Sequence, residues 1–241
     1  VGSTADEAAI DRGAFVGFFE RSETEPEVRI SGASAIQVPT GTGSSTVFSQ
    51  SNADVKLTRT SELVGLKFTG RPKRLRYSVF LAQVRKFEIE FASGSATNRF
   101  GASDSGLAYG IGVSGSFVPT SVASVGIGWD LQYRQTLVDF ERFVSALGLA
   151  KANQRLVEDE IQASATASKR FGQISPYTGL KVSHWITRLE DRSTGERLRG
   201  NSDGASVLVG FEWEPIAGEA GFAEASFLDE ESFSIGWGFR F

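Results

Sequence analysis

The chain ends in FSIGWGFRF, which sets Phe233, Ile235, Trp237, Phe239 and Phe241 at every second position with Ser234, Gly236, Gly238 and Arg240 between them. A period of two puts alternate side chains on opposite faces of a β-strand, so this segment has one bulky apolar face and one small or polar face. The alternation recurs upstream. Leu107, Tyr109, Ile111, Val113 and Phe117 are interleaved with Ala108, Gly110, Gly112, Ser114 and Ser116, and Val125, Ile127, Trp129, Leu131 and Tyr133 with Gly126, Gly128, Asp130, Gln132 and Arg134. Val207, Val209, Phe211 and Trp213 repeat it, and weaker copies run through residues 64–68, 75–81, 161–167, 180–186 and 223–227. The pattern predicts ten strands, at 13–20, 62–69, 75–92, 106–118, 122–138, 157–171, 176–189, 204–214, 219–228 and 231–241.

The segments between them fall into two classes. GRPK, VPTSV, GQISP and PIAG are short, whereas SGSATNRFGASDS, SALGLAKANQRL and EDRSTGERLRGNSDG are long and polar, with LDEE a short exception on the long side. Short turns at one end and long loops at the other, with an even number of strands, are the layout of a transmembrane up-and-down barrel. Residues 21–61 fit less cleanly: Val28, Ile30, Ile36 and Val38 alternate and STVFSQS can return beside them, so this stretch reads as a further hairpin, a plug or an outer loop. A further hairpin makes twelve strands the alternative count. GAFVGFF is apolar on both faces and leaves its inward face undecided, and Phe87, Ile89 and Phe91 either prolong their strand beyond the bilayer or begin another.

Face chemistry decides between a soluble and a membrane barrel. A water-facing strand surface carries Lys, Glu, Thr and Gln, whereas the second face here is glycine and serine broken by single charges. Small residues suit a crowded barrel interior, so the bulky set is expected to face lipid, and Tyr109, Trp129, Tyr133, Trp213 and Trp237 near strand ends suit interfacial girdles. The domain reading is a polar tail over 1–12 and one barrel over 13–241. A soluble barrel enclosing an apolar ligand is the reading with the faces reversed.

Composition narrows the chemistry. Hydrophobic residues make up 40% of the chain, but no apolar run is long enough for a spanning helix. There is no cysteine, which excludes disulfides, thiolate catalysis and cysteine-bound metals. A net charge of −4 argues against nucleic acid as a partner. A start at Val-Gly-Ser-Thr without methionine fits removal of an export signal peptide.

With the bulky face outward, the candidate lumen-lining charges are Lys67, Arg76, Asp130, Arg134, Glu160, Lys181, Glu212, Glu214, Glu224 and Arg240. Five are basic and five acidic, which suggests mutual pairing in a narrow interior rather than a wide pore. No catalytic, metal or cofactor site is expected. The one histidine, His184, sits beside Ser183, and adjacent strand residues point to opposite faces, so the two cannot act as base and nucleophile. Glu158, Asp159 and Glu160 split between faces for the same reason and read as a solvated loop end. GIGVSG lacks the strand-to-helix context of a dinucleotide site.

The terminal FSIGWGFRF, the PYTGLKVS of residues 176–183 and the succession of hairpins resemble small Gram-negative outer-membrane β-barrel proteins of the porin-like or opacity/OmpA-like superfamily, over about residues 62–241. The resemblance implies an outer-membrane location and a closed all-β barrel. It makes Phe233, Ile235, Trp237, Phe239 and Phe241 the strand presented to the outer-membrane assembly machinery. It also implies outer-membrane lipid and lipopolysaccharide as surroundings, other envelope or surface proteins as partners, no cofactor, and a structural or partner-binding role or, alternatively, a small passive porin.

Overall fold

The computed structural model describes residues 13–25, 27–31, 36–40, 43–48, 53–70, 75–93, 96–118, 125–145 and 148–240. In chain order the strands are β1 (Ala14–Thr24), β2 (Glu27–Ser31), β3 (Ile36–Thr40), β4 (Gly43–Phe48), β5 (Ala53–Gly70), β6 (Leu75–Ser93), β7 (Ala96–Val118), β8 (Gly126–Asp139), β9 (Arg142–Ser145), β10 (Gly148–Lys151), β11 (Gln154–Ser168), β12 (Ile174–Asp191), β13 (Arg197–Trp213), β14 (Glu219–Leu228) and β15 (Glu230–Arg240). Each long strand pairs antiparallel with its neighbour in sequence, β7 pairs with β8, and β1 pairs with β15 along its whole length, from Ala14↔Arg240 to Thr24↔Glu230. The result is a closed barrel of ten strands. Closure leaves no edge in the wall, the condition for a sheet to cross hydrocarbon.

The count of ten follows the alternation, and the twelve-strand alternative does not hold. Among the described residues of 27–48 there is no crossing strand: β2 pairs with Asn201–Arg199 of β13 and with Ala53–Lys56 of β5, while β3 and β4 form a separate two-stranded sheet. β2 also explains the short LDEE link. β14 and β15 have only 10 and 11 residues against 17 in β13, and β2 fills the wall above them. The expected polar tail over 1–12, residues 71–73 of the turn GRPK, residues 119–122 of the turn VPTSV, and Phe241 lie outside the described residues.

Several strands run further than the alternation predicts. β5 begins at Ala53 rather than 62, β7 at Ala96 rather than 106 and β13 at Arg197 rather than 204. These extensions carry polar residues on both faces, but the hydrogen-bond ladder, not the side chains, keeps them extended. SALGLAKANQRL, read as a loop, carries β10, which pairs with β9 just before it, and β9 pairs back onto Arg99–Gly101 of β7.

Phe87 and Ile89 lie on β6 itself, not on a new strand. A bulge between Val84 and Lys86 inserts one residue into β6. Before it Val79 and Leu81 face out and Phe80, Ala82 and Val84 face in; after it Phe87 and Ile89 face in. A one-residue slip exchanges the two faces, so one strand is lipid-facing below and core-forming above.

At the outer end Asp191 closes the β12–β13 turn by accepting bonds from Ser193 Oγ, the Ser193 and Thr194 backbone N–H groups and Gln154 Nε2. Burial pushes this carboxyl up, but those donors outweigh it and hold its pKa below the ordinary carboxylate value.

Candidate functional site: the barrel interior and its lipid-facing wall

The outer wall carries the bulky set. Ile111 is 60% exposed, Leu180 66% and Phe239 61%, whereas Phe100 and Phe143 are 1% exposed. Trp129, Phe211 and Trp237 are outside the barrel and do not meet in a dry centre. The Trp213 ring lies tilted 5.6 Å from Trp237 and 5.3 Å from Phe211 at the short-turn end. Towards the other end Tyr109 donates to Gln135, and Tyr133 donates to Asp159 at 2.6 Å. On β12 the outward residues from Ile174 to Val182 cover about 20 Å of barrel height, taking ~3.3 Å per residue and a tilt of ~40°, close to the apolar band of such barrels. Phe233, Ile235, Trp237 and Phe239 all belong to this face.

Inside, three layers are stacked along the axis. The middle layer is ionic. Arg134 of β8 donates to Glu20 of β1 at 2.5 Å and meets Glu160 of β11 at 2.5 Å, so one guanidinium ties non-adjacent walls across the lumen. Lys181 of β12 meets Glu230 of β15 at 3.0 Å and donates to Ser226. Arg59 of β5 pairs with Glu158 of β11 at 2.5 Å and lies over the Trp185 ring. These carboxylates and cations are almost wholly buried, where an unpaired charge is costly.

Towards the short turns Tyr177 donates to Glu224 at 2.8 Å, Gln132 donates to Asp130, and Arg240 meets Glu214 at 3.1 Å, with Arg170 also near Glu214. Lys67 lies within the field of Asp130, Arg76, Glu224 and Glu212. Towards the long hairpins the interior turns apolar. Phe100 packs 4.9 Å from Phe143 and 5.3 Å from Phe140, and Phe140 lies 6.2 Å from Phe87, with Leu63, Val84, Val138 and Leu156 buried around them. Within the ionic layer is a cavity of about 30 Å³, lined by Glu20, Arg134, Glu160, Lys181 and Glu230 together with Phe18 and Phe80. That volume holds a water molecule or two and no solute of metabolite size.

All ten sequence-predicted charges are buried or half-buried on the inner side. Arg134, Glu160 and Lys181 enter the central layer, and the other seven lie nearer the short turns. Glu20, Arg59, Glu158 and Glu230 belong to the same interior but are not among those ten. Glu20 follows from the parity of Phe18, Ser22 and Thr24, all buried, once β1 is extended past residue 20. Glu158 is no solvated loop end: it is 5% exposed, inside, while Asp159 points out and pairs with Arg188. The interior glycines are not bare lumen. A Cβ on Gly110 falls 2.4 Å from the Phe80 ring, and one on Gly236 falls 2.3 Å from the Phe222 ring, so inward aromatics lie flat on neighbouring glycines. Ser183 is buried within, whereas His184 faces out and pairs with Asp203 at 2.6 Å.

A closed antiparallel sheet with an apolar belt outside and a polar, packed interior defines the chain as an outer-membrane β-barrel. No protein-family profile and no curated protein matches it. Among solved structures it is similar to the outer-membrane protein OprG from Pseudomonas aeruginosa, at 11% identity over 99% of this chain and 99% of that one, with a TM-score of 0.43. It is similar to the outer-membrane protease OmpT from Escherichia coli at 9% identity, covering 95% and 97%, with a TM-score of 0.45. The transport unit of the autotransporter AIDA-I from Escherichia coli gives 10% identity, 98% and 92% coverage and a TM-score of 0.46. Likeness at this level transfers no activity.

Proposed function

We propose that this protein is a sealed barrel of the Gram-negative cell envelope with a structural or partner-binding role, and that it is neither a solute pore nor an enzyme. The observation that carries this reading is the bridge from Glu20 through Arg134 to Glu160, which spans the lumen beneath a layer of packed phenylalanines and lines a cavity of about 30 Å³. Opening a pore requires several buried ion pairs and an apolar layer to separate together, a cost of several kcal/mol. The long hairpins β6–β7 and β12–β13 stand beyond the belt and are the surfaces offered to other envelope proteins. The outward face of β15 is the segment offered to the assembly machinery.

Purified protein in planar bilayers is expected to give no steady conductance in 1 M KCl, and liposomes carrying it should retain glucose-sized solutes. Stable, single-valued openings at low voltage would overturn the sealed reading in favour of a small passive porin.

A further inference from the structure

The charges that the alternation places in the lumen are balanced, but the central ionic layer is not. Its carboxylates are Glu20, Glu158, Glu160 and Glu230, and its cations are Arg59, Arg134 and Lys181. Arg59 is committed to Glu158 and Lys181 to Glu230, so Arg134 alone is shared by Glu20 and Glu160. One negative charge is left over. The surroundings do not absorb it: Arg59 reaches Glu160 through its field while bonded to Glu158. On the short-turn side Glu224 adds a further carboxylate to the same cavity, held by the Tyr177 hydroxyl, and Lys67 lies in the joint field of Glu224, Glu212 and Asp130. A net charge kept from water in a low-dielectric interior is costly unless something compensates it.

Glu160 marks where the compensation is missing. Its Oε2 meets Arg134 at 2.5 Å, whereas its Oε1 is buried without a hydrogen-bond partner from the protein. The residue is 4% exposed and lines the cavity of about 30 Å³. The same wall brings the hydroxyls of Ser232 and Ser234 and the side-chain amides of Gln132 and Gln162 to that space. Oxygen atoms of this kind take the place of a hard cation's hydration shell. Among the described residues no three carboxylates or imidazoles converge as the ligands of a metal ion, which disfavours a divalent occupant. A surplus of one charge and room for an ion with a water fit a monovalent cation.

We propose that the ionic layer holds one partly dehydrated alkali cation against Glu160 Oε1. The ion balances the layer, and its water offers an acceptor to Arg134 Nε, which is likewise buried without a partner. The assignment rests on the sealed interior proposed above and makes the strength of that seal depend on the ion.

The test is urea unfolding of the full chain in phosphatidylcholine vesicles, in NaCl, KCl or choline chloride at one ionic strength. Choline has the same charge but is several times larger than a water molecule. The wild type is expected to unfold at a higher urea midpoint in at least one alkali chloride than in choline chloride, with a shift that saturates as alkali replaces choline. Glu160→Gln keeps the shape of the side chain and removes the surplus charge. Its midpoint should be the same in all three salts and, in choline chloride, no lower than that of the wild type. Glu20→Gln removes the surplus from the other side of Arg134 and should lose the alkali shift as well, so the test survives if one of the two variants does not fold. Arg99→Gln, which breaks the exposed Arg99–Glu90 pair, should keep the wild-type salt response. Equal wild-type midpoints in the three salts, or an alkali shift that persists in both carboxylate variants, would overturn the site. A barrel that passes no current and shows no alkali preference contradicts the ion site alone, whereas steady conductance contradicts the sealed reading and the site together.

Discussion

Arg134 answers to two carboxylates from different walls, and its removal strands both in a low-dielectric interior. Arg134→Met is therefore expected to destabilise the barrel by about 3–5 kcal/mol, seen as a lower urea midpoint in lipid vesicles. The triple variant Glu20→Gln, Arg134→Met, Glu160→Gln should recover most of that loss, because the penalty comes from uncompensated charge rather than from a missing attraction. A single variant as stable as the wild type would show the layer to be wet and screened. At this scale legibility depended on the company each residue keeps. Arg134 and Glu160 sit in clean alternation, so their inward direction is readable. Glu20 follows GAFVGFF, apolar on both faces, and Glu230 stands in what reads as a link. Arg59 and Glu158 lie above the belt, where bulky residues no longer mark the outer face.

The strand is where pattern and fold part company most instructively. Along β6 the apolar residues Leu75, Tyr77, Val79, Leu81, Phe87 and Ile89 are all odd-numbered, and an uninterrupted strand would put every one of them on the outside. The bulge at Arg85 turns the last two inward, and nothing in the composition around it marks that extra residue. The glycine face was readable as inward, but its use was not: Gly110 and Gly236 are seats for the rings of Phe80 and Phe222 on adjacent strands. A ring lying on a neighbouring strand is a cross-strand relation, which a single segment cannot reveal. Gly236→Val drives a side chain into the Phe222 ring and should cost about 3 kcal/mol or more by the same urea measurement. Adding Phe222→Ala should return part of it, so that the pair costs less than the sum of the two single changes. Strict additivity would remove the ring-on-glycine contact from the account.

For the whole molecule, strand count, closure and the direction of the bulky face were all contained in the two-residue period, because a lipid-facing barrel repeats one instruction along every wall. What lay beyond it was the asymmetry of the two ends: an apolar interior under the long hairpins, a charged one towards the short turns, and β2 filling the wall where β14 and β15 fall short. Those features come from residues distant in sequence meeting across the lumen. The central claim is the orientation of the wall around a packed interior, and tryptophan quenching by brominated acyl chains reads it directly. In single-tryptophan variants inserted into brominated phosphatidylcholine vesicles, Trp213 and Trp237 should lose most of their emission while Trp185, 3% exposed inside the barrel, keeps its own. Quenching of Trp185 with Trp237 spared would turn the barrel inside out and contradict the account.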